Sequence, residues 1–169
     1  MMGGGFGSSP IELLAEDAML RGEIYCTGFT YSAAWITGTA TALGTNATVD
    51  AQIQINADSD FVVQETNFLS FTAADTIIAT PDYLLQLVLA GSGRQIMNQA
   101  QHIANYAGAY QANRVPCIMG YPILLTSNST ITCTLQNRTA TASNRAELML
   151  RGFKVFYTGG NRQQIFHVL

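Results

Sequence analysis

The chain has 169 residues, of which 48% are hydrophobic and 11% are charged, and its formal net charge is −3. This length suits one globular domain rather than two large ones, and a chain this poor in charge needs a surface of neutral polar groups or one partly hidden in an assembly. The chain has more acidic than basic residues and a single lysine, Lys154, which argues against a nucleic-acid partner. Its longest apolar run, 83–90, is too short to cross a membrane.

The N-terminal residues predict a flexible arm that ends in a short helix. The first nine residues are rich in glycine and serine, and Ser9 precedes Pro10–Ala18, a run with early acids and good helix formers. We therefore expect an arm with a helix over residues 1–22 and a separate folded region over 23–169.

The arm also carries apolar side chains that are candidates for binding a partner. A segment that becomes ordered on a partner must bury apolar surface to offset its loss of entropy. The candidates are Phe6, Ile11, Leu13 and Leu14.

Alternation of apolar and polar residues predicts about nine antiparallel strands after the arm. In 49–56 the odd-numbered positions are apolar, and in 130–136 Ile131, Cys133 and Leu135 alternate with threonine and glutamine. The other strand candidates are Glu23–Tyr31, Ala33–Ala40, Asp60–Phe71, Leu84–Ala90, Tyr121–Leu125, 146–157 and Gln164–Leu169. Short strands separated by turn-forming residues predict an all-β fold, an antiparallel β-sandwich.

Two segments depart from simple alternation. In the segment 146–157 the apolar parity changes across Arg151-Gly152, which predicts a β-bulge there. In 95–107 the apolar positions fit both helical and alternating spacing, so its conformation stays open.

The groups that could support catalysis or metal binding are few. Asp58 and Asp60, two carboxylates two residues apart, could contribute to a calcium site, but the loop lacks the further ligands of such a site, so a turn is the better interpretation. His102 has no acid near it in sequence, although it could meet Asp75 or Asp82 in space. A small hydrolase that uses Asp58, Asp60 or His102 is the enzymatic alternative, and we expect no catalytic residues, metal or cofactor.

The cysteines and aromatic residues also have structural interpretations. Cys26, Cys117 and Cys133 are too widely spaced for a zinc site and are expected to be free thiols. The aromatic residues between positions 25 and 35 could line a carbohydrate platform, but core packing is the favoured interpretation. They are Tyr25, Phe29, Tyr31 and Trp35.

The order of short motifs in the second half of the chain resembles that of β-rich virion proteins of tailed bacteriophages. The motifs are Val115-Pro116, Tyr121–Leu125, Ser129–Asn137 and Leu148–Val155, with looser matches at Gln52–Asn56 and Leu87–Gly93. Among these proteins the chain is most similar to capsid decoration (cement) proteins of the jelly-roll type.

This resemblance implies a jelly roll without enzymatic activity, and an extended connection after Arg94. It further implies a homotrimer on the outer surface of the capsid, at local threefold axes, where it clamps neighbouring subunits of the major capsid protein. The alternative is a tail, collar or receptor-binding component of the virion with the same fold.

Overall fold

The structure, a computed structural model, describes residues 10–36, 43–72, 74–79, 81–90, 96–106, 116–140 and 143–158. These ranges contain one α-helix, eight strands and a 3₁₀ turn. The helix α1 spans Pro10–Leu20, and the turn spans Ile103–Asn105. The strands are β1 (Ile24–Ile36), β2 (Thr48–Gln54), β3 (Asp60–Thr72), β4 (Tyr83–Ala90), β5 (Gln101–His102), β6 (Cys117–Leu125), β7 (Thr130–Asn137) and β8 (Ser143–Tyr157).

The strands form two four-stranded antiparallel sheets. Sheet A has the order β1-β8-β3-β6, and sheet B has the order β2-β7-β4-β5. The first strand therefore pairs with the eighth, the second with the seventh, the third with the sixth and the fourth with the fifth. This nested pairing is the topology of a jelly roll, so the predicted all-β sandwich is confirmed.

The main core lies between the inner faces of the two sheets. In β7 the predicted inward residues Ile131, Cys133 and Leu135 are all fully buried. Trp35 of β1 reaches across the core, where its indole N–H donates a 3.2 Å hydrogen bond to the carbonyl of Cys133. Each fully buried side chain of this size contributes about 1.5–3 kcal/mol to folding, so the two faces hold the sheets together.

A second, smaller hydrophobic cluster lies on the outer face of sheet A, beneath α1. Ala15 and Ala18 of the helix are 2% and 0% exposed, and they pack against Ile24, Val62 and Val155 of the sheet. The small alanine side chains bring the helix close to the strands. The predicted short helix is thus confirmed, and it docks on its own chain.

Glycine ends this helix. Gly22 has φ +70°, a left-handed conformation that glycine adopts at little cost. Its N–H donates to the carbonyl of Met19 at 3.0 Å, and the N–H of Glu23 donates to that of Ala18 at 2.9 Å. These bonds satisfy the last helical carbonyls and turn the chain into β1.

The predicted division of the first strand region into two strands is wrong. β1 is one continuous strand, Ile24–Ile36, paired with β8 along its whole length. Tyr31, Ala33 and Trp35 remain on the inner face on both sides of Ser32, so no turn interrupts the alternation. Residues 37–40 of the second predicted strand lie outside the described residues, as does Gln164–Leu169.

A β-bulge is present near Gly152, but the prediction placed it in the wrong strand. The pairing of β8 with β1 runs without interruption. In β3, Val63 pairs with Gly152 and Glu65 with Arg151, so Gln64 is the extra residue. A Cβ on Gly152 would lie 1.8 Å from the carbonyl oxygen of Val62. Glycine is therefore required because the bulged strand approaches the backbone of β8.

The apolar parity of β8 changes for another reason. Leu148 and Leu150 face the main core, whereas Phe153 and Val155 face the opposite side and join the cluster beneath α1. The strand keeps its alternation, and the layer that covers it changes.

The open segment 95–107 is neither a helix nor a long strand in its described part, 96–106. It forms the two-residue strand β5 and the 3₁₀ turn that follows it. β5 pairs with the start of β4, where Leu84 lies opposite His102. This short strand completes sheet B.

Candidate partner-binding surface

The outward side of α1 presents the most exposed apolar side chains of the N-terminal region. Leu13, Met19 and Leu20 are 55%, 42% and 83% exposed. The opposite side of the same helix is buried against sheet A, so these residues project from a fixed support. Large apolar side chains grouped in this way are typical of a protein interaction site.

The arm residues predicted to bind a partner therefore separate into three groups. Leu13 is free to contact another molecule, while Ile11 packs against the cluster beneath α1, and Leu14 is half-buried. Phe6 lies outside the described residues. Met19 and Leu20 were missed because the predicted helix ended at Ala18.

Next to the helix, the outer face of sheet A has an open depression of about 530 Å³ at the bulge. Gly28 lies on its floor, and a Cβ added there would meet no atom within 4 Å. Arg151 and Glu65 form an ion pair across it at 3.5 Å, with both side chains partly exposed. Such a pair contributes at most about 1 kcal/mol, so a ligand or partner could separate it at little cost.

One exposed apolar residue lies on the far side of this depression. Ile118 of β6 is 73% exposed and pairs with Glu65, whose side chain is on the outer face. We call the exposed side chains of α1, the depression and Ile118 together the outer surface. Alternation in β6 could have indicated Ile118, but the predicted strand began only at Tyr121.

The acidic pair predicted as a weak metal candidate is bound by hydrogen-bond donors of the protein. Asp58 accepts from the Ser59 hydroxyl at 2.8 Å and lies 3.4 Å from the Lys154 ammonium. Asp60 is 4% exposed and accepts from the backbone N–H of Ser127 at 2.7 Å and the Tyr157 hydroxyl at 2.6 Å. The two carboxylates thus anchor the β2–β3 loop and the end of β8. Among the described residues, no three His, Cys, Asp or Glu side chains are grouped as metal ligands.

The Ser59 hydrogen bond and the nearby Lys154 charge both favour the ionised form of Asp58. The Ser59 hydrogen bond has the largest effect, and with Lys154 it holds the pKa of this carboxyl below its usual value of 3.8 although desolvation acts in the opposite direction. Lys154 itself is 7% exposed, and its ammonium lies 4.4 Å from the centre of the Phe29 ring. A buried lysine needs such compensation, so this arrangement is a structural anchor.

His102 does meet one of the two acids considered in the sequence. Its Nε2 lies 3.3 Å from Asp82, and its Nδ1 accepts from the N–H of Ala104 at 3.2 Å. His102 belongs to sheet B and Asp60 to sheet A, and each has its own partners. The His102 contacts hold β5 against the start of β4.

The four aromatic residues of β1 divide between the core and the surface. Tyr31 and Trp35 are 8% and 3% exposed, as core packing predicts, but Tyr25 and Phe29 are 52% and 40% exposed. Tyr25 stacks on Phe156 with ring centres 4.6 Å apart. The inner face of sheet A therefore ends in an exposed aromatic edge.

The three cysteines are free thiols, as expected. Burial raises the pKa of Cys133 to about 12, and it also raises the pKa of Cys26. Both thiols are therefore disfavoured as nucleophiles near neutral pH, because the reactive form is the thiolate.

Comparisons with known proteins do not place the chain in a family. No family model and no curated protein matches it. Among solved structures it is similar to a chain of the infectious bursal disease virus Gt strain, with a TM-score of 0.21 and 11% identity. The match covers 83% of this chain and 43% of that one, and at this TM-score it bears on neither fold nor function. Within the described residues, no helix has the length and apolar character of a membrane span.

Proposed function

We propose that this chain is a virion structural protein that decorates the outside of a bacteriophage capsid. In this proposal it clamps neighbouring subunits of the major capsid protein as a homotrimer at local threefold axes. The observation that carries the proposal is the set of exposed apolar side chains on α1, held against a jelly roll by the buried side of the same helix. The motif order in the second half of the chain supports the same class.

The outer surface has the properties that a clamp needs. Leu13 and Leu20 can enter an apolar groove of a capsid subunit, and the depression at Gly28 can accept a side chain in return. Exposed charges, among them Asp17 and Arg21, lie beside these leucines and would form the polar rim of such a contact. Three copies in a trimer would raise the avidity without a tight single contact.

Co-sedimentation of the full chain with undecorated shells tests this function. We expect Leu13→Ala with Leu20→Ala to weaken attachment at least about tenfold, which corresponds to roughly 1.4 kcal/mol of lost contact. Val49→Ala is the matched control, because Val49 is an exposed apolar residue on sheet B. Phe6→Ala, made separately, measures the contribution of the arm. Equal attachment of all variants, or no attachment of the wild type, would refute the proposal.

The trimeric state is tested by a separate measurement of mass in solution. Light scattering across a concentration series should give three times the chain mass of 18.2 kDa, or a multiple of that trimer. A monomer or an isolated dimer that persists at high concentration would remove the threefold arrangement from the proposal.

The exposed aromatic edge favours a second candidate, a tail, collar or receptor-binding component that contacts glycans. Tyr25 and Phe29 offer the ring surface on which sugars stack. Here Tyr25→Ala should abolish glycan binding, while Leu13→Ala should not affect it. A few copies per particle, rather than hundreds, would favour this candidate over decoration.

A further inference from the structure

Strand β1 leaves a long hydrogen-bonding edge without a partner strand among the described residues. It stands at the end of sheet A, and its ladder is formed with β8 alone. In an antiparallel strand, about half of the backbone N–H and C=O groups point away from the paired neighbour. Over the thirteen residues of β1, this edge is a template for adding another strand.

The other three sheet edges carry features that discourage strand addition, and β1 does not. β6 contains Pro122, β2 has seven residues and contains Asp50, and β5 has two residues. β1 has neither a proline nor a charged residue in the sequence IYCTGFTYSAAWI. Proteins protect exposed edges with charge, proline or shortness, so an unprotected edge of this length indicates a binding partner.

We infer that this edge pairs, antiparallel, with the same edge of a second copy of the chain. A twofold interface pairs β1 of one copy with β1 of the other. A charged residue near the axis would therefore approach the same residue of the second copy. The absence of charge along β1 removes that repulsion. Full overlap centres the axis near Thr30 and gives about a dozen backbone hydrogen bonds, comparable to the ~10 of a typical interface.

Side-chain exposure agrees with this pairing. In the centred register Tyr25 lies opposite Trp35 of the second copy, and Phe29 lies opposite Tyr31. Tyr25 and Phe29 are among the most exposed aromatic side chains described, and each would gain an aromatic neighbour. The two four-stranded sheets become one continuous eight-stranded sheet without free β1 edges.

The test compares two lysine pairs of equal charge on different sheet edges. Thr30→Lys with Ala34→Lys charges β1 at the axis, because Thr30 lies opposite Thr30 of the second copy in the centred register. Both positions are exposed and pair with Arg151 and Glu147 of β8, so the single subunit tolerates the change. Thr48→Lys with Gln52→Lys charges the exposed side of β2 on sheet B. Light scattering of the full chain gives the mass, and hydrogen exchange of residues 24–36 gives the protection of the edge.

We expect the wild type to contain an even number of chains, either a dimer or two trimers joined through β1. The β1 lysines should halve this mass and speed exchange of the outward amides at least tenfold, while the β2 lysines should change neither. An unchanged mass overturns the inference, as do outward amides that exchange freely in the wild type. Protection that persists in a dilute monomer also overturns it, because a segment of the same chain then covers the edge.

This inference stands apart from the proposed function. A trimer that binds shells and has the same mass with and without the lysine substitutions in β1 would overturn only the β1 pairing. A β1-dependent dimer that does not bind shells would overturn only the decoration function.

Discussion

The two halves of strand β8 show how one strand serves two hydrophobic clusters of unequal size. In the first half, Leu148 and Leu150 are buried between the sheets, within the main core. In the second half, Val155 faces the other way, into a small cluster covered by a single short helix. The inward position there is taken by Lys154, whose ammonium lies near the Phe29 ring and the Asp58 carboxylate. A change of apolar parity therefore marks a change of covering layer.

Truncation of one leucine in the first half should have the largest effect on stability. Leu148→Ala leaves a cavity that two sheets cannot close, and we expect a loss of about 3 kcal/mol in the free energy of unfolding. Val155→Ala should lose about 1.5 kcal/mol, because fewer atoms leave and the helix can move inward. Urea denaturation measures both. Equal losses would contradict the idea that the two clusters differ in rigidity.

Two glycines at the junction between the halves sharpen the comparison. Gly152→Ala forces a methyl group against the carbonyl of Val62, and we expect a loss of about 2 kcal/mol. Gly28→Ala, on the neighbouring strand, meets open space and should change the free energy of unfolding by less than about 0.5 kcal/mol. If thermal unfolding shows the same shift for both, the close approach of β3 and β8 is not a constraint.

The smallest expected effect concerns acid stability at the Lys154 end of β8. Because the native pKa of Asp58 lies below its unfolded value, its contribution is present above about pH 4 and is lost as the pH falls through the native pKa. Asp58→Asn should therefore lower the Tm slightly at neutral pH and leave it unchanged near pH 2. NMR titration of the carboxyl gives the pKa directly, and Lys154→Met should raise it. Asp75→Asn, in an exposed turn, is the control.

Alternation of apolar and polar residues predicted most of the fold because the two faces of most strands differ in their surroundings. Alternation is clear in β2 and β7, where one face meets the core and the other meets solvent, and these strands were found within one or two residues. In β8 the apolar pattern was misread as a bulge, because the sequence does not show that a helix covers the outer face of the strand or that the bulge opposite Gly152 lies in β3. The two-residue strand β5 is too short to produce any pattern.

The candidate surface was less predictable than the fold. The helix of the arm was predicted from Pro10 and its acids, but which of its sides is free depends on the packing of Ala15 and Ala18 against sheet A. In the same way, Tyr25 and Tyr31 have the same parity in one strand, yet they are 52% and 8% exposed, a difference that alternation does not predict. The contact between His102 and Asp82 spans strand β4 and the segment that follows it, so it left no signal in sequence spacing.

The burial of Lys154 determines which reagents can report on the neighbours of this protein. It is the only lysine of the chain, and 93% of its side chain is withdrawn from solvent, since 7% is exposed. Amine-directed cross-linkers, fluorescent esters and immobilisation resins will find no lysine on the folded molecule. Its contacts will instead have to be mapped through carboxylates or through cysteines introduced one at a time. The same property makes lysine labelling a sensitive measure of unfolding, because Lys154 becomes reactive when the anchor opens.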